Sequence, residues 1–270
     1  MKIGIVSPTD QKEVCVLKEN IVACLNSKKI DVIDQVGPED LVDQDFVIAI
    51  GGDGTVLKAV SIMSNKQVPI MGVNMGHLGY LTEVEPGLVL KNVEKLLSGN
   101  FTLERRMLLG AQIFIDRKNS YEEIKNGFVA LNDVVVEKVE PGKTIRFELE
   151  INGLSFENYS ADGIIVSTPT GSTAYNFSIR GPIVEPSLDS IIVTPIAPHL
   201  VFDRSLVLDP STELKLINSS DRKASLVIDG KVRGVLEEFD GVKIVTKKEH
   251  IELVKFDESE YFIKRLKSKF

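Results

Sequence analysis

Apolar positions follow two rhythms along this chain, and the change between them comes near Asn100. Before it, short apolar runs alternate with segments of helical spacing. Residues 2–6 read as a buried strand, and over residues 12–27 Val14, Leu17, Ile21 and Leu25 recur on one helical face. Residues 30–33 give a second strand, a polar turn with Pro38 follows, and residues 46–50 form a wholly apolar third strand. That strand runs into Gly51-Gly52-Asp53-Gly54-Thr55, after which residues 56–63 resume helical spacing as far as Ser64. Residues 69–73 end a further strand at a second glycine-rich stretch, Asn74-Met75-Gly76-His77-Leu78-Gly79-Tyr80, and residues 88–98 read as a helix. This alternation predicts a parallel α/β sheet with both glycine stretches side by side at its carboxyl edge.

After Asn100 the runs become short and β-type, separated by turns: residues 109–115, 129–136, 144–151, 163–167, 206–208, 226–228, 242–246 and 251–256. Such spacing predicts an antiparallel sandwich rather than further strand-helix-strand units. A last helix over residues 259–269, with Tyr261, Phe262 and Leu266 on one side, is expected to pack back on the first domain. The predicted organisation is an N-terminal α/β domain with a parallel sheet over residues 1–100, joined by helix 258–270, and an all-β sandwich over residues 101–257.

Three stretches carry candidate chemistry. Gly51, Gly52 and Gly54 around Asp53 allow left-handed backbone and close approach to a ligand. The amides of that turn and of the helix start at Thr55 can face an anion, of which phosphate is the natural choice. A carboxylate among phosphates would hold a metal ion, accept a proton or bind a sugar hydroxyl. The plainer alternative is an ordinary turn in which Asp53 caps the helix. Neither G-x-x-x-x-G-K-[ST] nor a G-x-G-x-x-G after a strand occurs, so the two commonest phosphate fingerprints are missing.

Asn132 and Asp133 interrupt the otherwise apolar run 129–136. Burying them is costly unless each finds a partner, either a ligand or their own backbone in a β-bulge. From Ala161, the pair Asp162-Gly163 leads a strand into Ser167, Thr168, Thr170, Ser172 and Thr173, broken by Pro169 and Gly171, and then into the short helix Ala174-Tyr175-Asn176-Phe177-Ser178. Hydroxyls and amides there can bond adenine, ribose and phosphate edges without adding charge, and Tyr175 can supply an aromatic wall. The alternative is a Ser/Thr-rich loop that caps a helix. His77, His199 and His250 have no H-x-x-x-H or Cys partner and are not read as metal ligands.

In this order and spacing, GGDGT, an Asn-acid pair in a strand and D-G-x-x-x-S-T-P-T-G-S-T-A-Y resemble the NAD kinase family. Supporting pieces run from Gly72-Val73-Asn74-Met75-Gly76-His77-Leu78-Gly79 through Gly181-Pro182-Ile183-Val184 and Pro195-Ile196-Ala197-Pro198-His199 to Ile228-Asp229-Gly230, so the resemblance covers essentially the whole chain. GGDGT alone is shared with lipid kinases and, more loosely, phosphofructokinases. The resemblance implies that Asp53 is the catalytic base toward the adenosine 2′-hydroxyl of NAD, with Gly54 beside it and Gly51, Gly52 and Thr55 in the phosphate-binding loop. It implies contacts to NAD from Asn132, Asp133, Asp162, Thr170, Thr173, Ala174, Tyr175, Asn176, Phe177 and Ser178, and by similar spacing from Lys58, Lys143 and Ser160. It implies no protein metal cage, but Mg²⁺ with ATP or inorganic polyphosphate as phosphoryl donor, homodimers or homotetramers, and an active site in the cleft between the domains. One departure is Asp133, where the family usually has Glu. A carboxylate near pKa 3.9 cannot strip a sugar hydroxyl beforehand without a cost of about 7 kcal/mol or more, so Asp53 is expected to orient the hydroxyl and take its proton late.

Composition narrows the partners. A net charge of -7 argues against nucleic acid or an anionic membrane, and 43% hydrophobic residues suffice for real cores. Met1-Lys2-Ile3-Gly4 enters a strand at once, which reads as no signal peptide, and no apolar run approaches a membrane span. Cys15 and Cys24 are expected to be buried free thiols in a reducing compartment, hence the cytoplasm. Two other readings are a lipid or sugar kinase sharing GGDGT, and a non-catalytic dinucleotide sensor that kept the pocket.

Overall fold

The computed structural model describes residues 1–37, 44–63, 67–76, 79–117, 120–123, 127–199, 203–256 and 261–269. Pro38, Ser64, His77 and residues 259–260 of the expected last helix lie outside the described residues. The chain divides into two compact units, Met1–Arg106 with Glu249–Phe270, and Met107–Lys248.

The first unit contains β1 (Lys2–Val6), α1 (Lys12–Ser27), β2 (Asp31–Asp34), β3 (Phe46–Gly51), α2 (Asp53–Met63), β4 (Ile70–Asn74) and α3 (Val89–Leu97). Its strands pair parallel in the order β4-β3-β1-β2. All of β4 is buried, and β3 is buried beyond its first residue, as a parallel sheet covered on both faces requires. Val14, Ile21 and Leu25 of α1 and Val89, Val93 and Leu96 of α3 pack in one core with Ile3, Ile48 and Met71. In register Gly51 stands beside Asn74, and the Met75 amide donates to the Gly51 carbonyl at 2.8 Å. The two glycine stretches therefore leave neighbouring strands at the same carboxyl edge, as the pattern predicted.

The second unit is built from β5 (Thr102–Arg117), β6 (Ser120–Glu123), β7 (Phe128–Ala130), β8 (Asp133–Lys138), β9 (Ile145–Ile151), β10 (Leu154–Ala161), β11 (Gly163–Ser167), α4 (Tyr175–Ser178), β12 (Ile191–Ile196), β13 (Leu206–Leu208), β14 (Leu214–Asn218), β15 (Ala224–Ile228), β16 (Lys231–Leu236) and β17 (Gly241–Lys255). β5 begins, and β17 ends, within the first unit. One antiparallel sheet runs β13-β12-β11-β8-β15-β16. The other runs β10-β9-β14-β17, with β5 joined to β6 and β7. Val134, Ile164 and Leu226 of the first sheet share a core with Phe147, Leu216 and Val242 of the second, which makes the unit a sandwich. α5 (Tyr261–Lys269) belongs to the first unit, where its Phe262 ring lies 6.3 Å from that of Tyr80.

Three expectations need correction. The single run 129–136 is two strands, β7 and β8, with Leu131 and Asn132 in the break between them. β6, β10, β12, β14 and β16 lie outside the runs read from the sequence; β12 was hidden by Pro195, which sits beyond the Ile191–Val193 stretch that pairs with β13. Cys15 and Cys24 are free but only half-buried. No described helix is long and apolar enough to cross a membrane.

Phe147 is fully buried at the centre of the sandwich. Phe147→Ala should lower the stability of this unit by about 3–5 kcal/mol, read as an earlier midpoint in urea unfolding followed by circular dichroism.

Candidate active site

Asp53 is the first residue of α2, directly after β3. Its carboxylate does not cap its own helix. Oδ2 accepts the Tyr80 amide at 2.8 Å, while Oδ1 accepts the amides of Leu81 at 3.0 Å and Thr82 at 3.2 Å and the Thr82 hydroxyl at 3.3 Å. A side chain at Gly79 would collide with that carboxylate, so glycine at that position of the second stretch is required by Asp53. Gly51 is likewise pressed against the Thr55 hydroxyl. The Tyr80 phenol is held above its ordinary pKa by burial and then by the Asp53 charge.

The segment that grips Asp53 is itself held. Arg265 of α5, 5% exposed, donates to the Thr82 carbonyl at 3.2 Å. Glu83 meets Lys255 at 3.0 Å and accepts the Phe256 amide at 3.2 Å. Gly52, Gly54 and Lys58 are exposed beside Asp53, and Thr55 is buried.

In the second unit Asp133 opens β8 opposite Ser167 of β11. The Asn132 carbonyl accepts the Thr168 amide at 2.9 Å and the Ser167 hydroxyl at 3.2 Å, and the Leu131 carbonyl accepts the Thr168 hydroxyl at 2.6 Å. Any side chain at Gly171 would strike the Asn132 carbonyl. The Asn-acid pair and the hydroxyl-rich turn, 35 residues apart in sequence, thus form one surface. The turn continues as a 3-10 helix over Thr170–Thr173 and then α4.

The expected contact residues divide by exposure. Tyr175 and Phe177 are 40% and 37% exposed, with Ser178 also exposed and Thr173 and Ala174 half-buried. Asn176 is fully buried, and its amide serves the protein: Nδ2 donates to the Ser172 and Pro182 carbonyls, and Oδ1 accepts the Thr194 hydroxyl at 2.8 Å. Thr170 is buried too. Asp162 pairs with Lys138 at 2.6 Å. Ser160 bonds the Thr144 hydroxyl at 3.4 Å, while Lys143 is exposed.

Sequence reasoning missed the main partner of the Asn-acid pair. Asp229, in the turn between β15 and β16, accepts the amides of Leu131 at 2.9 Å, Asn132 at 2.7 Å and Asp133 at 3.2 Å. The Ile228-Asp229-Gly230 motif marked the place but not the bond. The Tyr80–Thr82 amides left no signal at all, because backbone donors are not written in side-chain types.

Electrostatically this surface is acidic. Burial, and then the Asp229 charge, pushes Asp133 from an ordinary 3.8 up to about 7. Asp229 is also raised by burial, against the opposing pull of its three amide donors and Arg233. The Tyr175 phenol is raised by burial and then by Glu137, Asp133 and Asp162. Carboxyl groups in this state suit hydroxyl and amino donors, such as ribose and adenine, better than phosphates. Among the described residues no three or more His, Cys, Asp or Glu side chains converge as a metal cage.

A parallel α/β unit with a GGDGT turn between β3 and α2, and a sandwich unit carrying acids beside a hydroxyl-rich turn, define a two-domain α/β-plus-sandwich protein. Residues 3–101 match the model of the ATP-NAD kinase N-terminal domain, and residues 131–256 that of the ATP-NAD kinase C-terminal domain. The chain belongs to the NAD kinase family. It is 38% identical over 219 residues to the NAD kinase of Caldanaerobacter subterraneus, covering 81% of this chain and 76% of that one. Among solved structures, the NAD kinase of Archaeoglobus fulgidus in complex with ATP matches with a TM-score of 0.79 at 26% identity, over 99% of this chain and 98% of that one. Yeast NADH kinase complexed with NADH shares the fold, with a TM-score of 0.90 at 23% identity, over 99% of this chain and 86% of that one.

The raised Asp133 gives a pH dependence of stability with a definite sign. Between about pH 4 and 7 the folded state keeps a proton that the unfolded state has released, so this contribution is complete at low pH and lost as pH rises through about 7. Asp133→Asn should flatten that fall, which amounts to a few kcal/mol, in urea melts run across the range.

Proposed function

We propose that this enzyme transfers a phosphoryl group from ATP or inorganic polyphosphate to the adenosine 2′-hydroxyl of NAD, producing NADP. The observation that carries the residue roles is the uneven loading of the Asp53 carboxylate: among the described residues Oδ1 accepts three hydrogen bonds and Oδ2 one. Oδ2 therefore retains acceptor capacity for a hydroxyl, while the loop holds the carboxylate in a fixed direction. Asp53 orients the attacking hydroxyl and receives its proton late, which suits a loose transition state needing little nucleophilic push. The glycine-rich amides at Gly51, Gly52, Gly54 and Thr55 face the phosphates.

Asn132, Asp133 and Asp162 receive the hydroxyl and amino donors of the adenosine half, with Tyr175 and Phe177 as apolar walls. Thr170, Thr173, Ala174 and Ser178 complete that surface, Asn176 braces it from below, and Lys143 and Ser160 lie on its margin; Lys58 contacts substrate from the first unit. Mg²⁺ would be held by the donor phosphates and would neutralise charge on the transferring group. The enzyme works in the cytoplasm as a homodimer or homotetramer.

The direct test incubates purified protein with NAD, Mg²⁺ and either ATP or polyphosphate, and reads NADP with a dehydrogenase that ignores NAD. NADP with one or both donors is the expected result. Folded protein that binds NAD yet makes none would turn the assignment toward a dinucleotide sensor. Asp53→Asn should abolish nearly all turnover while NAD still binds by calorimetry; a variant retaining most of its kcat would remove Asp53 from the base role.

A further inference from the structure

Asp229 lies outside every role assigned above, yet its geometry is unusually complete. Asp229 and Gly230 take φ values of +46° and +75°, so the β15–β16 turn enters left-handed backbone at two successive positions. That turn delivers the Asp229 carboxylate onto three consecutive amides, those of Leu131, Asn132 and Asp133, while the Asp229 amide returns a bond to the Asp133 carbonyl at 3.1 Å. These amides fall at the break between β7 and β8, where the ladder is interrupted. Leu131 is fully buried and Asp133 is 4% exposed, so without Asp229 these donors would be buried and unsatisfied.

We propose that Asp229 is a positioning residue for the acceptor dinucleotide: its carboxylate fixes the backbone from which Asn132 and Asp133 project, without itself touching the ligand. The proposal rests on the reading that Asn132 and Asp133 bind NAD. An aspartate has only two side-chain torsions, so the aim of Asp133 is set by its backbone, and loosening residues 131–133 misdirects it. Asp229 also adds a negative charge beside Asp133. Arg233 from β16 pulls Asp229 down, and Asp133 in turn raises Tyr175 of α4, on which Glu137 from β8 and Asp162, paired with Lys138, also bear.

The test is Asp229→Asn, which preserves shape while removing the charge and one amide acceptor. NAD titration calorimetry and steady-state kinetics should show Kd and KM for NAD rising about tenfold or more, since hydrogen bonds to a charged acceptor are lost. The kcat at saturating NAD and the KM for the phosphoryl donor should stay within about twofold. The pH midpoint of NAD binding should move down, because removing a like charge lets Asp133 ionise nearer its ordinary value. Unchanged NAD affinity with an unchanged midpoint would overturn the proposal, as would an equal loss for both substrates. Should Asp229→Asn fail to fold, Gly230→Ala applies a milder strain at the φ of +75°, where an added Cβ meets open space, and should weaken NAD alone in the same direction. Asn132→Ala and Asp133→Asn separate the two readings. If neither weakens NAD binding, the assignment of the pair fails; if both do while Asp229→Asn is silent, only the positioning role fails.

Discussion

A carboxylate set against consecutive backbone amides is the device on which both units depend. Asp53 takes the amides of residues 80–82, and Asp229 takes those of residues 131–133. In each case the chain has left a strand ladder, and its donors would otherwise be short of partners at about 1–3 kcal/mol apiece. An ionised acceptor satisfies several such donors at once and fixes their direction. Irregular backbone is thereby held in place without a second strand to pair with it.

Around Asp53 the support is layered. The Thr82 carbonyl receives Arg265 from α5, and Glu83 meets Lys255, which also approaches Glu104 at 3.3 Å, with Arg106 on Glu104 at 2.6 Å. Buried ion pairs such as these add little net stability, because desolvation consumes much of their attraction. Their directional bonds nevertheless fix where the loop must lie. The C-terminal helix thus reaches the loop around Asp53 through the Thr82 carbonyl and the Tyr80–Phe262 ring contact, although Arg265 and Thr82 are 183 residues apart in sequence.

The second unit solves a different problem. Its acids gather around one turn, where Asp133 and Asp229 face each other and Glu137 and Asp162 bear on Tyr175. Asp133, raised to about 7 by burial and by Asp229, combines acceptor and donor character near neutrality. Asn176, fully buried and bonded to Ser172, Pro182 and Thr194, ties the hydroxyl-rich turn to β12 and leaves Tyr175 and Phe177 outward. A side chain at Gly181 would strike Asn176, so that glycine belongs to the same brace.

The sequence by itself determined the alternation of strands and helices up to Asn100, the β-type texture after it, the GGDGT turn and the two motif blocks that identify the family. Each of these is local: periodicity, glycine at tight turns and residue order survive without knowing who touches whom. Only the tertiary structure decided that the run 129–136 breaks at Asn132, that Pro195 lies inside a strand, that Asn176 is a brace, and that Asp53 and Asp229 grip distant amides. Those facts depend on backbone donors and on pairings across tens of residues, and a backbone amide is the same group at every non-proline position, so no residue letter announces where it will bond.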